Sequence, residues 1–306
     1  MSQAPSAVIL VRPSGFSPNA QTAADNAFQS TSDASAEEIA RRAFDEVAAL
    51  AEALRAEGVT VHLFDDQGAD RPDSVFPNNW ISTHAGGHVA LFPMYASNRR
   101  GERRADIVEM LKSQYRVQDV IDYSGLEPDD VFLEGTGAMV LDHQARIAYV
   151  ARSHRADPVA LERFCTNFGF EPMAFDAVDD TGAPVYHTNV MMAVGTELAL
   201  IALDMITDAR RRAEVSARLS ARHEVIALTR AQIAEFAGNA IELQGASGRI
   251  LVMSARACAA LRADQVAKIE RSARIVAVPV PTIELAGGSV RCMIAGIHLD
   301  PRPLVA

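Results

Sequence analysis

Cysteine is scarce in this chain: three in 306 residues, Cys165, Cys258 and Cys292. An odd, widely spaced set supports neither a disulfide framework nor a paired-cysteine metal or redox site. Positive charge is also in deficit, with 29 basic against 39 acidic side chains and a formal net charge of -10. Such a balance repels a phosphate backbone, and the Arg-rich run over 98–104 is short and broken by Glu102, so no nucleic-acid partner is expected. No apolar stretch approaches the ~18 residues of a membrane span, and residues 1–5 lack the basic start of a signal peptide. The expectation is a cytoplasmic protein with no membrane partner. Glycine-rich phosphate loops are missing, and the eight histidines show no paired ligand spacing, so neither a nucleotide cofactor nor a metal is expected. No Pro/Gly/Ser-rich linker cuts the chain, which favours a single domain over 1–306.

Hydrophobic residues make up 49% of the sequence, enough for a substantial core. Residues 7–12 and 59–64 read as strands, and between them Ser35 opens a helix to about Glu57, with Ile39, Ala43, Val47, Leu50 and Leu54 on one face. Further helices are predicted over 101–113, 157–169, 207–220, 230–236 and 255–262, alternating with short apolar runs as in an α/β protein. Five of these runs are weakly self-similar. Counted from Phe76, Phe132, Tyr186, Ala237 and Val290, they recur at steps of 56, 54, 51 and 53 residues. A near-constant step points to a repeated supersecondary unit, with the N-terminal strand completing a unit closed by the C-terminal segment.

Polar residues interrupt these runs where a packed strand would prefer Val or Leu: Asn78 and Asn79, Glu134, His187 and Asn189, Asn239, and Cys292. A thiol, an imidazole and a carboxylate are the parts of a nucleophile, an acid/base and an orienting or electrostatic group. Cysteine is also a common small core residue, a role that suits Cys165 and Cys258 in their helical settings. Cys292 follows Gly287-Gly288-Ser289-Val290-Arg291, a turn that permits close approach of a ligand. On a strand, Asn189 would share the face of His187.

Together, Pro72-Asp-Ser-Val-Phe-Pro-Asn-Asn79, Leu133-Glu-Gly-Thr-Gly137, Tyr186-His-Thr-Asn189 and Gly287-Gly-Ser-Val-Arg-Cys292 resemble the guanidino-group-modifying enzymes. The branch most similar is the arginine-deiminase-related citrulline-utilisation hydrolases, which residues 11–19 and 26–29 also resemble. The resemblance implies a five-bladed α/β propeller (pentein) of ββαβ-type repeats with a site on its axis. It implies covalent catalysis with Cys292 as nucleophile, His187 as general acid/base and Glu134 against the substrate, without a cofactor. Asp73, Asn78, Asn79 and Asn189 become candidate substrate contacts, and Arg99, Arg100 and Arg152 candidates for the substrate carboxylate. A homodimer matches the family's habit.

Two departures bear on the substrate. Asn79 and Asn189 stand where many members carry aspartate. A guanidinium offers only donors and suits carboxylates, whereas a neutral ureido group has a carbonyl acceptor beside an NH2 that an asparagine can match. The expected activity is therefore hydrolysis of citrulline to ornithine, ammonia and carbon dioxide. Alternatives are deimination or dihydrolysis of arginine, dimethylargininase activity, amidino transfer, and a non-catalytic binding propeller.

Overall fold

The computed structural model describes residues 2–303 except 67 and 69. Fifteen strands form five three-stranded sheets. In each, an antiparallel pair of strands, a hairpin in all but the blade that joins the chain ends, is followed by a helical crossover to a third strand parallel to the second. Blade 1 comprises Ile81–His84, His88–Leu91 and Asp119–Asp122, with helix Ala105–Gln114 in the crossover. Blade 2 comprises Met139–Asp142, Ile147–Ala151 and Glu171–Phe175, crossed by Pro158–Phe168. Blade 3 comprises Met192–Val194, Leu198–Ile201 and Glu224–Ala227, crossed by Ala209–Ser220. Blade 4 comprises Ile241–Gly245, Gly248–Ser254 and Arg274–Val278. Blade 5 joins the two ends of the chain: Ala7 of Ala7–Pro13 pairs with Ile297 of Ala295–Ile297, and Thr60–Asp66 lies on the other side. The repeat counted in the sequence is this blade.

First strands of neighbouring blades contact one another, Met139–Asp142 against Met192–Val194 and Ala295–Ile297 against Ile81–His84. They surround an axis, while the helices lie outside. Helix Ala36–Ala56 shows why the sequence folds this way. Ser35 caps it by accepting the Glu38 N–H, and Ile39, Ala43, Val47, Leu50 and Leu54 bury one stripe against blade 5. Each large apolar side chain so buried contributes about 1.5–3 kcal/mol.

Several expectations change in detail. The helix expected over 101–113 starts at Ala105, because Ser97–Glu102 closes as a 3-10 turn around the Arg99–Glu102 ion pair. The helix expected over 255–262 ends at Ala259, and a separate one follows at Ala263–Ile269. Most consequential, the polar residues do not interrupt strands. Pro77–Asn79 and Thr188–Val190 are single 3-10 turns, Glu134 precedes the one-turn helix Gly135–Ala138, and Asn239 and Cys292 lie in turns. Each turn immediately precedes a first strand. The sharp backbone reversal aims a polar side chain at the axis, so the strand after it can remain apolar.

The N-terminal segment secures the opposite end of this axis. Gln3 Nε2 donates to the carbonyls of Leu141 and Val194, both at 2.9 Å, and its Oε1 accepts the His143 N–H at 2.8 Å. One side chain thereby satisfies backbone groups of blades 2 and 3. Gln3→Leu leaves these buried groups without partners and should lower the unfolding free energy by roughly 2 kcal/mol or more. Denaturant unfolding monitored by circular dichroism would measure it; an unchanged midpoint would show that the N-terminus does not bind the blades together.

Candidate active site

The five turns converge on one narrow cavity. Asp73, Phe76, Asn79, Arg99, Arg155, Tyr186, His187, Gly288 and Cys292 line it, with Thr22 and Asn26 from the segment after the first-described strand of blade 5. Cys292 is positioned by a turn in which its N–H bonds to Ser289 O at 2.9 Å. Only glycine fits at position 288, where a Cβ would lie 2.8 Å from the Phe76 ring. Two amides face the thiol: Asn189 Nδ2 is 3.3 Å and Asn239 Nδ2 3.2 Å from Sγ. Asn239 is itself fixed, accepting the Arg291 N–H at 3.0 Å and donating to Asn189 O. Asn189 Oδ1 lies 3.6 Å from the same sulfur, so the two amides fix the position of the Cys292 side chain.

His187 and Glu134 form the second part of the site. His187 Nε2 lies 2.8 Å from Glu134 Oε2, and Glu134 Oε1 accepts the Tyr95 N–H at 3.0 Å. Burial alone would raise the Glu134 carboxyl, but Arg155, the His187 hydrogen bond and Arg99 outweigh it and hold the group ionised, far below the usual carboxylate range. An ionised carboxylate only accepts, so His187 carries its proton on Nε2. Burial pushes the His187 pKa down by more than Glu134 raises it. The imidazole is therefore neutral at physiological pH with Nδ1 available as a base. Gly137 lets it approach: a Cβ there would fall 2.2 Å from Asn79 Nδ2 and 2.8 Å from His187 Nδ1. The short Gly135-Thr136-Gly137 sequence has this close packing as its purpose.

Around the pair lies a buried network of charge. Arg99 binds Glu102 with Nε and Nη2 at 3.0 and 2.9 Å, and lies 3.6 Å from Asp73 and 3.7 Å from Glu134. Arg155 reaches Glu134 at 3.5 Å and Asp25 at 2.5 Å, its guanidinium stacked 4.8 Å over Tyr186. Burial raises Glu102 to about 7 against the opposing pull of Arg99. It likewise raises Asp73 against Arg99 and Asn19. Asp73 Oδ2 accepts Asn19 Nδ2 at 2.8 Å, whereas Asp73 Oδ1 and Asn79 Nδ2 are buried with no hydrogen-bond partner. Both belong to residues lining the cavity.

The site residues expected from the sequence thus separate into groups. Cys292, His187, Asn79, Asp73 and Arg99 line the cavity. Glu134 stands behind His187, and Asn189 behind the sulfur, so their contacts in this structure are to His187 and Cys292. Asn78 is fully buried with neither amide atom bonded, but it is not in the cavity wall. Arg100 turns away to Met94 O at 3.2 Å and Glu127 at 3.6 Å, and Arg152 pairs with Asp176 on the surface at 3.3 Å. The arginine that does reach the cavity from that stretch is Arg155, which sequence reasoning missed. Tyr186, whose hydroxyl donates to Gly287 O at 2.6 Å, was also missed as a wall residue, although it belongs to the same short motif as His187.

A family model described as N,N dimethylarginine dimethylhydrolase, eukaryotic, matches residues 12–299. The chain belongs to that family. Membership places it among the hydrolytic C–N enzymes of the guanidino-group-modifying pentein superfamily. Solved structures share the fold. The substrate-bound N-terminal domain of ArgZ, an arginine dihydrolase from cyanobacteria, has a TM-score of 0.72 at 16% identity, over 95% of this chain and 97% of that one. AgrE in complex with L-arginine has a TM-score of 0.74 at 17% identity, over 98% of this chain and 41% of its own. The Pseudomonas aeruginosa dimethylarginine hydrolase in complex with citrulline has a TM-score of 0.63 at 14% identity, over 96% and 100% of the two chains. No curated protein sequence matches the chain. Among the described residues, no helix is long and apolar enough to cross a membrane.

Glu134 tolerates complete burial only with its cations in place. Arg155→Met should cost about 3–5 kcal/mol, the usual penalty for removing one partner of a buried ion pair. Thermal unfolding would report a large drop in Tm. A drop no larger than that of an exposed Arg→Met control would mean that Arg155 does not compensate the carboxylate.

Proposed function

We propose that this family member hydrolyses the ureido carbon of citrulline, giving ornithine, ammonia and carbon dioxide, with residues 1–306 acting as one catalytic unit. The observation that carries this reading is the unpartnered donor Asn79 Nδ2, buried beside His187 in the cavity wall. A buried donor without an acceptor costs about 1–3 kcal/mol until a ligand supplies one. The ureido carbonyl supplies an acceptor, and a protonated guanidinium has none. Asp73 Oδ1, the neighbouring unpartnered acceptor, is suited to a substrate N–H.

The chemistry follows from the protonation states. His187 Nδ1 takes the Cys292 proton, and Asn189 and Asn239 stabilise the resulting thiolate. The sulfur attacks the ureido carbon while Asn79 donates to the oxygen on which charge develops. His187 returns the proton to the departing side-chain nitrogen, the C–N bond breaks, and ornithine leaves an S-carbamoyl cysteine. His187 then deprotonates a water that attacks the thioester carbon. The C–S bond breaks, the thiol recovers its proton, and the released carbamate decomposes to ammonia and carbon dioxide. One water is consumed per citrulline.

A second reading keeps a guanidino substrate. Its support is the charge count around the cavity, where the carboxylates of Asp25, Asp73, Glu102 and Glu134 surround the two guanidinium groups of Arg99 and Arg155. An excess of acid favours a cation. Incubation with citrulline, arginine and methylated arginines, with ornithine, citrulline and ammonia measured separately, decides between them. Ornithine and ammonia in equal amounts from citrulline are expected; turnover of arginine alone would overturn the proposal. Asn79→Asp should lower the ratio of citrulline to arginine kcat/KM by about tenfold or more, through loss of a donor worth ~1.4 kcal/mol or more in the transition state.

The pH profile offers a separate check. Because burial holds His187 below the ordinary imidazole value, the active base persists as pH falls through about 6.5, and the acid limb of kcat/KM should lie below that value. A limb well above it would show that His187 is not the base.

A further inference from the structure

The five first strands run from the catalytic turns toward the far end of the axis, where they enclose a second space of about 60 Å³. That volume accommodates about four waters or one small polyatomic ion. Arg291 borders it, projecting from the same turn that carries Cys292. Its Nη1 donates to Ile294 O at 2.9 Å. Unlike Arg99 and Arg155, it has no carboxylate partner among the described residues, and burial brings its pKa down to about 10 against the opposing pull of the neighbouring Cys292 sulfur. The histidines nearby add no charge. His143 and His298 stack at 4.0 Å, and burial together with Arg291 holds both below the usual imidazole range. Glu242 also borders the space; its Oε2 accepts the Thr196 N–H at 2.7 Å, its Oε1 lies 3.6 Å from Arg249 without a hydrogen-bond partner, and burial raises its pKa, which favours the neutral carboxyl. Gln3 closes the far side through its bonds to blades 2 and 3.

A partly buried guanidinium that no carboxylate faces, beside a cysteine that is charged only as the thiolate, gains from an anion in the adjoining space. We propose that this axial chamber is a binding site for a small planar monovalent oxyanion of the size of bicarbonate or nitrate, held by the Arg291 guanidinium. Two parallel N–H···O bonds to a planar trigonal anion match the geometry of the arginine fork. A nucleotide or peptide is larger than a space that holds about four waters. The site adjoins the nucleophile through the backbone, because the Arg291 N–H bonds Asn239 Oδ1 and Asn239 Nδ2 bonds Cys292 Sγ. Bicarbonate is the hydrated form of the carbon dioxide that the proposed hydrolysis releases. The binding itself does not depend on that reaction, so failure of the citrulline assay would leave it standing, and its own failure would leave the assay untouched.

The test titrates the resting protein with carbon-13-labelled bicarbonate by NMR, with unlabelled nitrate as competitor and chloride at matched ionic strength as control. Saturable binding displaced by nitrate is expected, retained in Arg291→Lys and weakened about tenfold or more in Arg291→Met. Equal binding by wild type and Arg291→Met overturns the proposal, as does a response that follows ionic strength alone. Prior alkylation of Cys292 blocks the catalytic cavity. Binding that persists after alkylation supports the axial chamber, and binding that vanishes assigns the anion to the catalytic cavity and overturns the site. Should Arg291→Met not fold, the wild-type titration still decides, since absence of saturable binding leaves the chamber as a water-filled space.

Discussion

A carboxylate with no access to solvent, Glu134, constrains much of this molecule. An isolated ionised carboxylate in such a place would cost far more than the few kcal/mol of net stability a domain possesses, so it must be neutralised or compensated. Here it is compensated from three directions: His187 from the turn before blade 3, Arg99 from the turns of blade 1, and Arg155 from blade 2 itself. Each partner is then held in turn, Arg99 by Glu102 and Asp73, Arg155 by Asp25. One charge thus fixes the relative positions of separate turns, and the cavity wall is made largely from the groups that solve its electrostatics. Ionised Glu134 also sets the His187 tautomer, leaving Nδ1 unprotonated on the imidazole that the proposed reaction uses as its base.

Much of this was legible in the sequence because blades repeat. A step of a little over fifty residues placed one polar turn per blade, and Glu134, His187, Asn239 and Cys292 each fall at that place. What the sequence concealed was local geometry. A polar residue in an apolar run reads as a strand position, yet Thr188–Val190 is a turn, and Asn189 reaches Cys292 rather than lying beside His187 on a strand face. The arginines failed for a related reason. Arg152 and Arg155 are three apart and chemically identical, and partners distant in sequence, Asp25 at 130 residues together with Glu134 and the Tyr186 ring, draw one of them inward. No local pattern encodes such a pairing. Arg100 and Arg99 differ in the same way, one turned to Glu127 and the other to Glu102.

The two asparagines that distinguish this chain have different work in the fold. Both were read as substrate contacts, on the argument that amides suit a ureido group. Asn189 instead donates to the sulfur, alongside Asn239, where an ionised aspartate would oppose a thiolate. Among the described residues, Asn79 alone presents a buried, unpartnered donor in the cavity wall. The case for a ureido substrate therefore rests on one amide, while the second amide contacts the sulfur of Cys292.

Access imposes a last condition. The cavity has a free volume of about 20 Å³, room for about one water. Part of its wall comes from a stretch without regular secondary structure that carries Thr22 and Asn26 and is anchored by Asn26 Nδ2 to Ala286 O at 3.0 Å and Ser30 N–H to Leu285 O at 3.0 Å. Such neutral bonds contribute about 1 kcal/mol each. The same stretch is also tied into the charge network, because Asp25 pairs with Arg155 and Asn19 Nδ2 donates to Asp73 Oδ2 at 2.8 Å. Segment and turns are thus one electrostatic unit, and the unpartnered atoms of Asp73 and Asn79 are the part of it that a ligand would satisfy.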